Sequence, residues 1–280
     1  MIADSSLAEM IGKYATTNRV KLPAFNSTAL RIQKEIVKEE PDGRLIEKLI
    51  VSDQSLTGEV LRVSNSSFYK GLTQVATVRD AIIRLGIREV SNIVTLVTLQ
   101  NNFHSKDLAV NKIMGKLWRH SVGCAMGASW LAKQTGFQAI AHETFIAGLL
   151  HDVGKLFILK VIDDMKASGE IEKVPSSTVM DEVMQNLHAV HGHFLLKHWN
   201  LPQKYCQVAQ GHHAEQFDFN NHLLVLVRLA NYMCHKMGIG LTEDPSIVLM
   251  ETPEAAQLQL SEVDLARLEV RLEDSLAFAG

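Results

Sequence analysis

Nowhere along this 280-residue chain do apolar and polar residues alternate in a run long enough to make a half-buried strand. Apolar residues recur instead at three- and four-residue steps, a spacing that hides them only on one face of a helix. This periodicity predicts helices over residues 6–16, 25–39, 56–64, 78–85, 87–101, 112–134, 142–150, 155–165, 179–198, 203–211, 222–237 and 261–278, and one more through Leu45, Leu49 and Ile50. Asn18-Arg19, Pro41-Asp42-Gly43, Gly86, Gly136, Ser168-Gly169 and Asn200-Leu201-Pro202 punctuate them. Ser52 or Asp53, Thr77 and Ser177 are the expected N-caps. The expected fold class is all-α.

Composition narrows the setting. With 46% hydrophobic and 21% charged residues the chain has the make-up of a soluble globular protein with ample core. No apolar run reaches the ~18 residues that crossing a bilayer takes, and MIADSSLAEM lacks the basic and apolar regions of a secretory signal. Cys124, Cys206 and Cys234 are odd in number and stand at no zinc-like spacing, so they are expected as inert core thiols in a reducing cytosol. The net charge of -3 gives no electrostatic case for nucleic acid. The expectation is a cytoplasmic protein with neither a membrane nor a nucleic-acid partner.

The twelve histidines are distributed unevenly: all lie between His104 and His235. Their centre is residues 141–156, AHETFIAGLLHDVGKL, where Ile146, Leu149, Leu150 and Val153 predict a buried helix closing on His151-Asp152. An imidazole beside a carboxylate at the edge of a core needs partners, the charged carboxylate most of all. A His-Asp hydrogen bond with a surface lysine nearby would explain an isolated dipeptide of this kind. The company it keeps points further.

His120 falls on the preceding long helix, His188 on the one around 179–198, His212-His213 after the next, and Asn231 on the one that follows. Imidazole and carboxylate together suit Fe, Mn, Ni, Zn or Co, and fit neither a thiolate zinc site nor an all-oxygen calcium cage. One aspartate among several histidines can bridge two ions about 3.5–4 Å apart for in-line displacement at phosphorus, with Lys155 presenting a positive charge to a phosphate.

In this order the residues resemble the HD phosphohydrolases, and more closely the HDOD proteins, the HD-related output domains of bacterial signalling. SDQSLTGEVLRVSNSSFYKG (52–71) and TVRDAIIRLGIREVSNI (77–93) are similar to the characteristic helical half of that family; LWRHS (117–121), FIAGLLHDVGK (145–155), HAVHGHFLLKHWNLP (188–202) and GHH (211–213) are similar to its HD half. The resemblance implies an N-terminal helical bundle (1–105) packed on an HD-type helical subdomain (106–240), followed by a connector and C-terminal helix (241–280), all within one HDOD unit. It implies metal ligands at His120, His151, Asp152, His188, His212, His213 and Asn231, catalytic roles for Asp152 and Lys155, and a mono- or dinuclear divalent metal, with Fe, Mn or Ni preferred to Zn.

The expected partners are a signalling protein and a phosphorylated small molecule. The chain departs from the family at RLANYM (228–233), where Asn231 stands in place of an aspartate and brings no charge to a cation. It also lacks the Gly-Tyr-Pro motif that follows the His-His pair in the cyclic-dinucleotide enzymes. The resemblance to HDOD proteins, with these two departures, implies a regulatory module that keeps its metal site, with a metal-dependent phosphohydrolase as the alternative. His191, one turn from His188, can take its place, and of the adjacent His212 and His213 one is the expected ligand. His191 is nonetheless read, with His104, His142, His193, His198, His222 and His235, as a packing or surface residue. Asn65, with Ser66, Phe68 and Tyr69, is read as a structural turn docking the two halves.

Overall fold

A computed structural model describes residues 4–16, 23–66, 68, 69, 71 and 73–276. The expected turn at Asn18-Arg19 and the tip of the expected C-terminal helix lie outside them. Among the described residues every regular element is helical.

The front half runs through α1 (Asp4–Thr16), α2 (Ser27–Ile36), α3 (Gly43–Val51), α4 (Gln54–Ser64), α5 (Val78–Leu85) and α6 (Ile87–Gln100). Caps fix most of these starts. The side chains of Asn26, Asp42 and Asp53 accept backbone N–H groups of the first turns of α2, α3 and α4. Thr77 and Asp80 form a reciprocal capping box on α5. The second helix is shorter than the apolar spacing predicts, because Glu35 accepts the Asp42 N–H and an ammonium hydrogen of Lys38, fixing a turn after Ile36. The side chain of Asn65 binds the main chain of Leu61 and both polar groups of Val75. It therefore closes its own loop, while the neighbouring Phe68 lies under Arg271.

The second half contains α7 (Leu108–Gln134), α8 (Ala141–Leu150), α9 (Val153–Ala167), α10 (Ser177–His198), α11 (Gln203–Gly211) and α12 (His222–Lys236), then the short α13 (Pro253–Gln257) and α14 (Glu262–Leu276). The long α7 begins four residues before the expected start because Asp107 caps it. Ser176, not the expected Ser177, caps α10. The helices expected over 142–150 and 155–165 are α8, which ends at Leu150, and α9, which starts two residues early at Val153, with His151-Asp152 at the break.

Helix α7 is the spine, packed by α8, α12 and α14, while α9 lies along α10. The small residues of α7 and α8 permit this closeness, since a Cβ on Gly148 would fall 2.6 Å from the Cys124 carbonyl oxygen. At Gly154 a Cβ would collide with the His188 carbonyl oxygen, so only glycine lets α9 and α10 meet beside the dyad. The halves join through α6 against α8, through Phe25 on Trp199, and through the Trp199 Nε1–H donated to the Pro23 carbonyl. Buried apolar residues from Leu7 to Leu272 form one connected core. In α14, Leu265, Leu268 and Leu272 join it, whereas Val263 and Val270 face outward.

Candidate metal centre

The break between α8 and α9 sets up the site. Asp152 occupies the N-cap position of α9, where an aspartate ordinarily accepts an N–H of the first turn. Its side chain makes no such bond. The carboxylate, 1% exposed, is turned instead toward four imidazoles. His120 Nε2 lies 3.4 Å and His151 Nε2 3.7 Å from Oδ2; His188 Nε2 lies 3.5 Å and His212 Nε2 3.4 Å from Oδ1. Each carboxylate oxygen thus faces its own pair of imidazoles.

Main-chain carbonyls orient all four rings. The Nδ1 atom lies 2.9 Å from the Ile239 carbonyl oxygen in His120, 2.7 Å from that of Gly148 in His151, 2.7 Å from that of Met184 in His188 and 3.0 Å from that of Ala209 in His212. A carbonyl only accepts, so each Nδ1 carries the hydrogen and each Nε2 of a neutral ring is left with a lone pair. These lone pairs converge: the Nε2 atoms of His120 and His151 are 3.3 Å apart, and those of His188 and His212 are 3.2 Å apart. Burial pushes His120 and His151 down to about 3, and His212 to about 4, against the pull of Asp152. Burial also raises Asp152, but Lys155 and the imidazoles outweigh it and hold the carboxyl well below its usual range. Asp152 Oδ1 accepts no hydrogen bond.

His213 joins Asp152, His188 and His212 with donor atoms all within 4.8 Å of one another, so both members of the adjacent pair reach the cluster, where the sequence suggests one. His120, His151 and Asp152 form a second such group, sharing the aspartate. His191 does not replace His188: its ring stacks on Phe157 at 4.9 Å. Asn231 is buried on α12 with Oδ1 unpartnered. Lys155 does not reach outward; its ammonium sits 2.6 Å from Asp152 Oδ2.

Three neighbours escape the sequence reading. His235 stacks on His120 with ring centres 5.3 Å apart. Cys124 Sγ is 3.6 Å from His120 Nε2, and Cys234 completes a buried group with both. Their signal is helical register: Cys124 lies one turn after His120, and Cys234 and His235 one turn after Asn231. Arg228 supports the cluster from behind. It donates to the carbonyls of His212 and Ala214 at 2.9 Å and to Glu254 Oε1 at 2.5 Å, all inside the protein. Over the dyad, Leu117, His120, Asp152, Lys155, His235, Leu241 and Thr242 line a small, partly open recess.

The HDOD domain profile matches residues 22–215. An uncharacterized protein of Treponema pallidum (strain Nichols) is 29% identical over 198 residues, covering 69% of this chain and 37% of that protein, so the chain spans little more than a third of its relative. An HDOD domain protein of unknown function from Geobacter sulfurreducens superposes with a TM-score of 0.75 at 22% identity, over 98% of this chain and 96% of that one. A Shewanella amazonensis SB2B protein, named as a candidate metal-dependent phosphohydrolase, gives 0.72 at 17% identity over the whole of both chains. At these identities the structural likeness establishes the fold. No helix among the described residues is long and apolar enough to cross a membrane. Matched over more than half its length by the family profile, and built as its members are, the chain belongs to the HDOD family.

Proposed function

We propose that this protein is a regulatory HDOD module whose HD half holds a divalent metal without substantial turnover. The observation that carries this reading is the convergence of Nε2 lone pairs on a carboxylate with an unpartnered oxygen. Neutral lone pairs 3.2–3.3 Å apart repel unless a cation lies between them. Carbonyl-oriented imidazoles around a carboxylate are the supporting shell that metal ligands require. In this reading His120, His151, His188 and His212, paired on the two oxygens of Asp152, would hold one or two ions with His213 beside them, and the Asn231 amide oxygen would be a neutral further donor. A nitrogen-and-oxygen set of this kind suits Fe, Mn or Ni.

A divalent ion here would supply Lewis acidity toward a phosphoryl oxygen. The chain's own groups argue against using it. Lys155 is engaged by Asp152, and Asn231 withholds a charge from the cation. The output is then contact with a signalling protein. The alternative, a phosphodiesterase, is favoured by the full set of imidazoles on both oxygens of Asp152. The test is turnover of bis(p-nitrophenyl) phosphate and of a cyclic dinucleotide by the manganese-loaded chain. The regulatory reading expects no rate above that of His151→Ala; a rate abolished by His151→Ala establishes the enzyme.

A further inference from the structure

His120 stands between two sets of donors. One is His151 with Asp152. The other is Cys124 on α7 and Cys234 on α12, which the metal centre described above does not use. Cys124 follows His120 by one helical turn, so a single face of α7 presents both. Cys124 Sγ lies 3.6 Å from His120 Nε2, and the two sulfurs and this nitrogen all fall within 4.8 Å of one another. The thiols have no zinc-like spacing in the sequence and meet only in the fold. Glycine permits the meeting, since a Cβ on Gly123 would stand 3.0 Å from Cys234 Sγ. Both thiols are wholly buried.

The hydrogens decide what this group can hold. The Ile239 carbonyl takes the hydrogen of His120 Nδ1, so Nε2 only accepts. Left as thiols, Cys124 and Cys234 are weak donors, bonded to each other and on to that nitrogen. One ion replaces both thiol hydrogens at once. Zinc bonds of about 2.3 Å to sulfur and about 2.0 Å to nitrogen, at a tetrahedral angle, set the two ligand atoms about 3.5 Å apart. The observed separation is 3.6 Å. Two thiolates and one imidazole are a set that zinc accepts with its fourth position left to water.

We propose that His120, Cys124 and Cys234 form a second metal site, which takes zinc and differs from the carboxylate site in the class of ion it selects. Soft sulfur donors favour zinc over manganese, which prefers oxygen. The two thiol protons leave to solvent as the ion enters. His120 Nε2 has one lone pair, so an ion here withdraws it from Asp152. The thiol site does not rest on the regulatory reading, because it fills whether or not Asp152 holds an ion.

Cobalt(II), which occupies zinc sites and reports thiolate ligands by a near-ultraviolet charge-transfer band, tests this. The probe is titrated into the full chain, chelator-treated and reduced with a phosphine under nitrogen. The band should appear in the unaltered chain and vanish in Cys124→Ala and in Cys234→Ala. It should persist in Cys206→Ala, whose sulfur lies apart, beside the Pro202 carbonyl. It should persist also in His151→Ala, which disables the carboxylate site alone, so failure of the metal centre and failure of the thiol site are told apart. Circular dichroism checks each fold, and the two cysteines sit on different helices, so one variant decides if the other misfolds. No band in the unaltered chain overturns the proposal, as does a band that survives in either folded cysteine variant. Loss of the band in folded His151→Ala puts the sulfur ligand in the carboxylate site and overturns it equally.

Discussion

Both halves of this protein bury polar side chains where they touch the core, and they satisfy them in different ways. Around Gln33, donors meet acceptors: its amide gives hydrogens to Ser91 and Thr95 and accepts one from His142. Around Asp152, acceptors meet acceptors, with imidazole lone pairs paired face to face and Oδ1 bare. The first arrangement is complete in protein alone and serves to hold α2, α6 and α8 together. The second leaves its acceptors unpaired within the protein, which is what the proposed cation would answer. A buried polar residue is therefore read as structural or as a ligand from the direction of its hydrogens rather than from its identity.

The contrast can be broken or sharpened by substitution. The largest effect is expected at Arg228, a buried group in the histidine-rich half that is satisfied in the manner of Gln33. Arg228→Ala strands Glu254 inside the protein and should cost about 3–5 kcal/mol, read by urea denaturation; a loss below about 1 kcal/mol would show that the ion pair is not carrying the His212 turn. Next comes Gly154→Ala, where the new methyl meets the His188 carbonyl. Overpacking of this kind costs about 1–3 kcal/mol, and it should also lower metal content by displacing His188. Unchanged metal content would show that α9 and α10 need not meet so closely.

The sharpest pair is Gln33→Leu against His188→Met in chelator-treated protein. Gln33→Leu leaves His142 without its acceptor and should destabilise by about 1–3 kcal/mol. His188→Met removes a group facing another lone pair and should cost clearly less than Gln33→Leu, or raise stability. Equal losses in the two variants would erase the distinction. The smallest effect concerns protonation. Burial lowers His142 to about 4, below the unfolded value of about 6.5. The folded state thus disfavours the charged ring, and its contribution is full above pH 6.5 and lost as pH falls toward 4. The His142 ring signals in NMR should stay fixed between pH 7.5 and 5.5; a midpoint near 6.5 would contradict the burial argument.

The helical class and most of the helix ends are legible in the sequence, since apolar period and caps such as Asp53 and Thr77 act locally. The break at His151-Asp152 also shows, as the gap between the helices over 142–150 and 155–165; the close approach of α9 to α10 at Gly154 does not, because it joins residues 34 apart in sequence. Among the candidate ligands, His120, His151, Asp152, His188, His212 and His213 are identified by type and order, and the structure gathers them. Which of His188 and His191 faces Asp152 depends on which face of α10 turns inward, a tertiary matter: His188 does, and His191 stacks on Phe157. His235, Cys124 and Cys234 are overlooked because a histidine or thiol on an apolar helix face looks the same whether it lines a core or a cluster. Arg228 carries no signal in the sequence, since its partner Glu254 is 26 residues away and its burial is tertiary.

The most direct test of the account is elemental analysis of the chain purified without chelator, beside His151→Ala and Asn231→Asp. The account predicts about one to two equivalents of Fe, Mn or Ni per chain, loss of metal in His151→Ala, and firmer retention in Asn231→Asp. No metal in any of the three, and none taken up on dialysis against manganese, would contradict it and leave the converging imidazoles as packing alone.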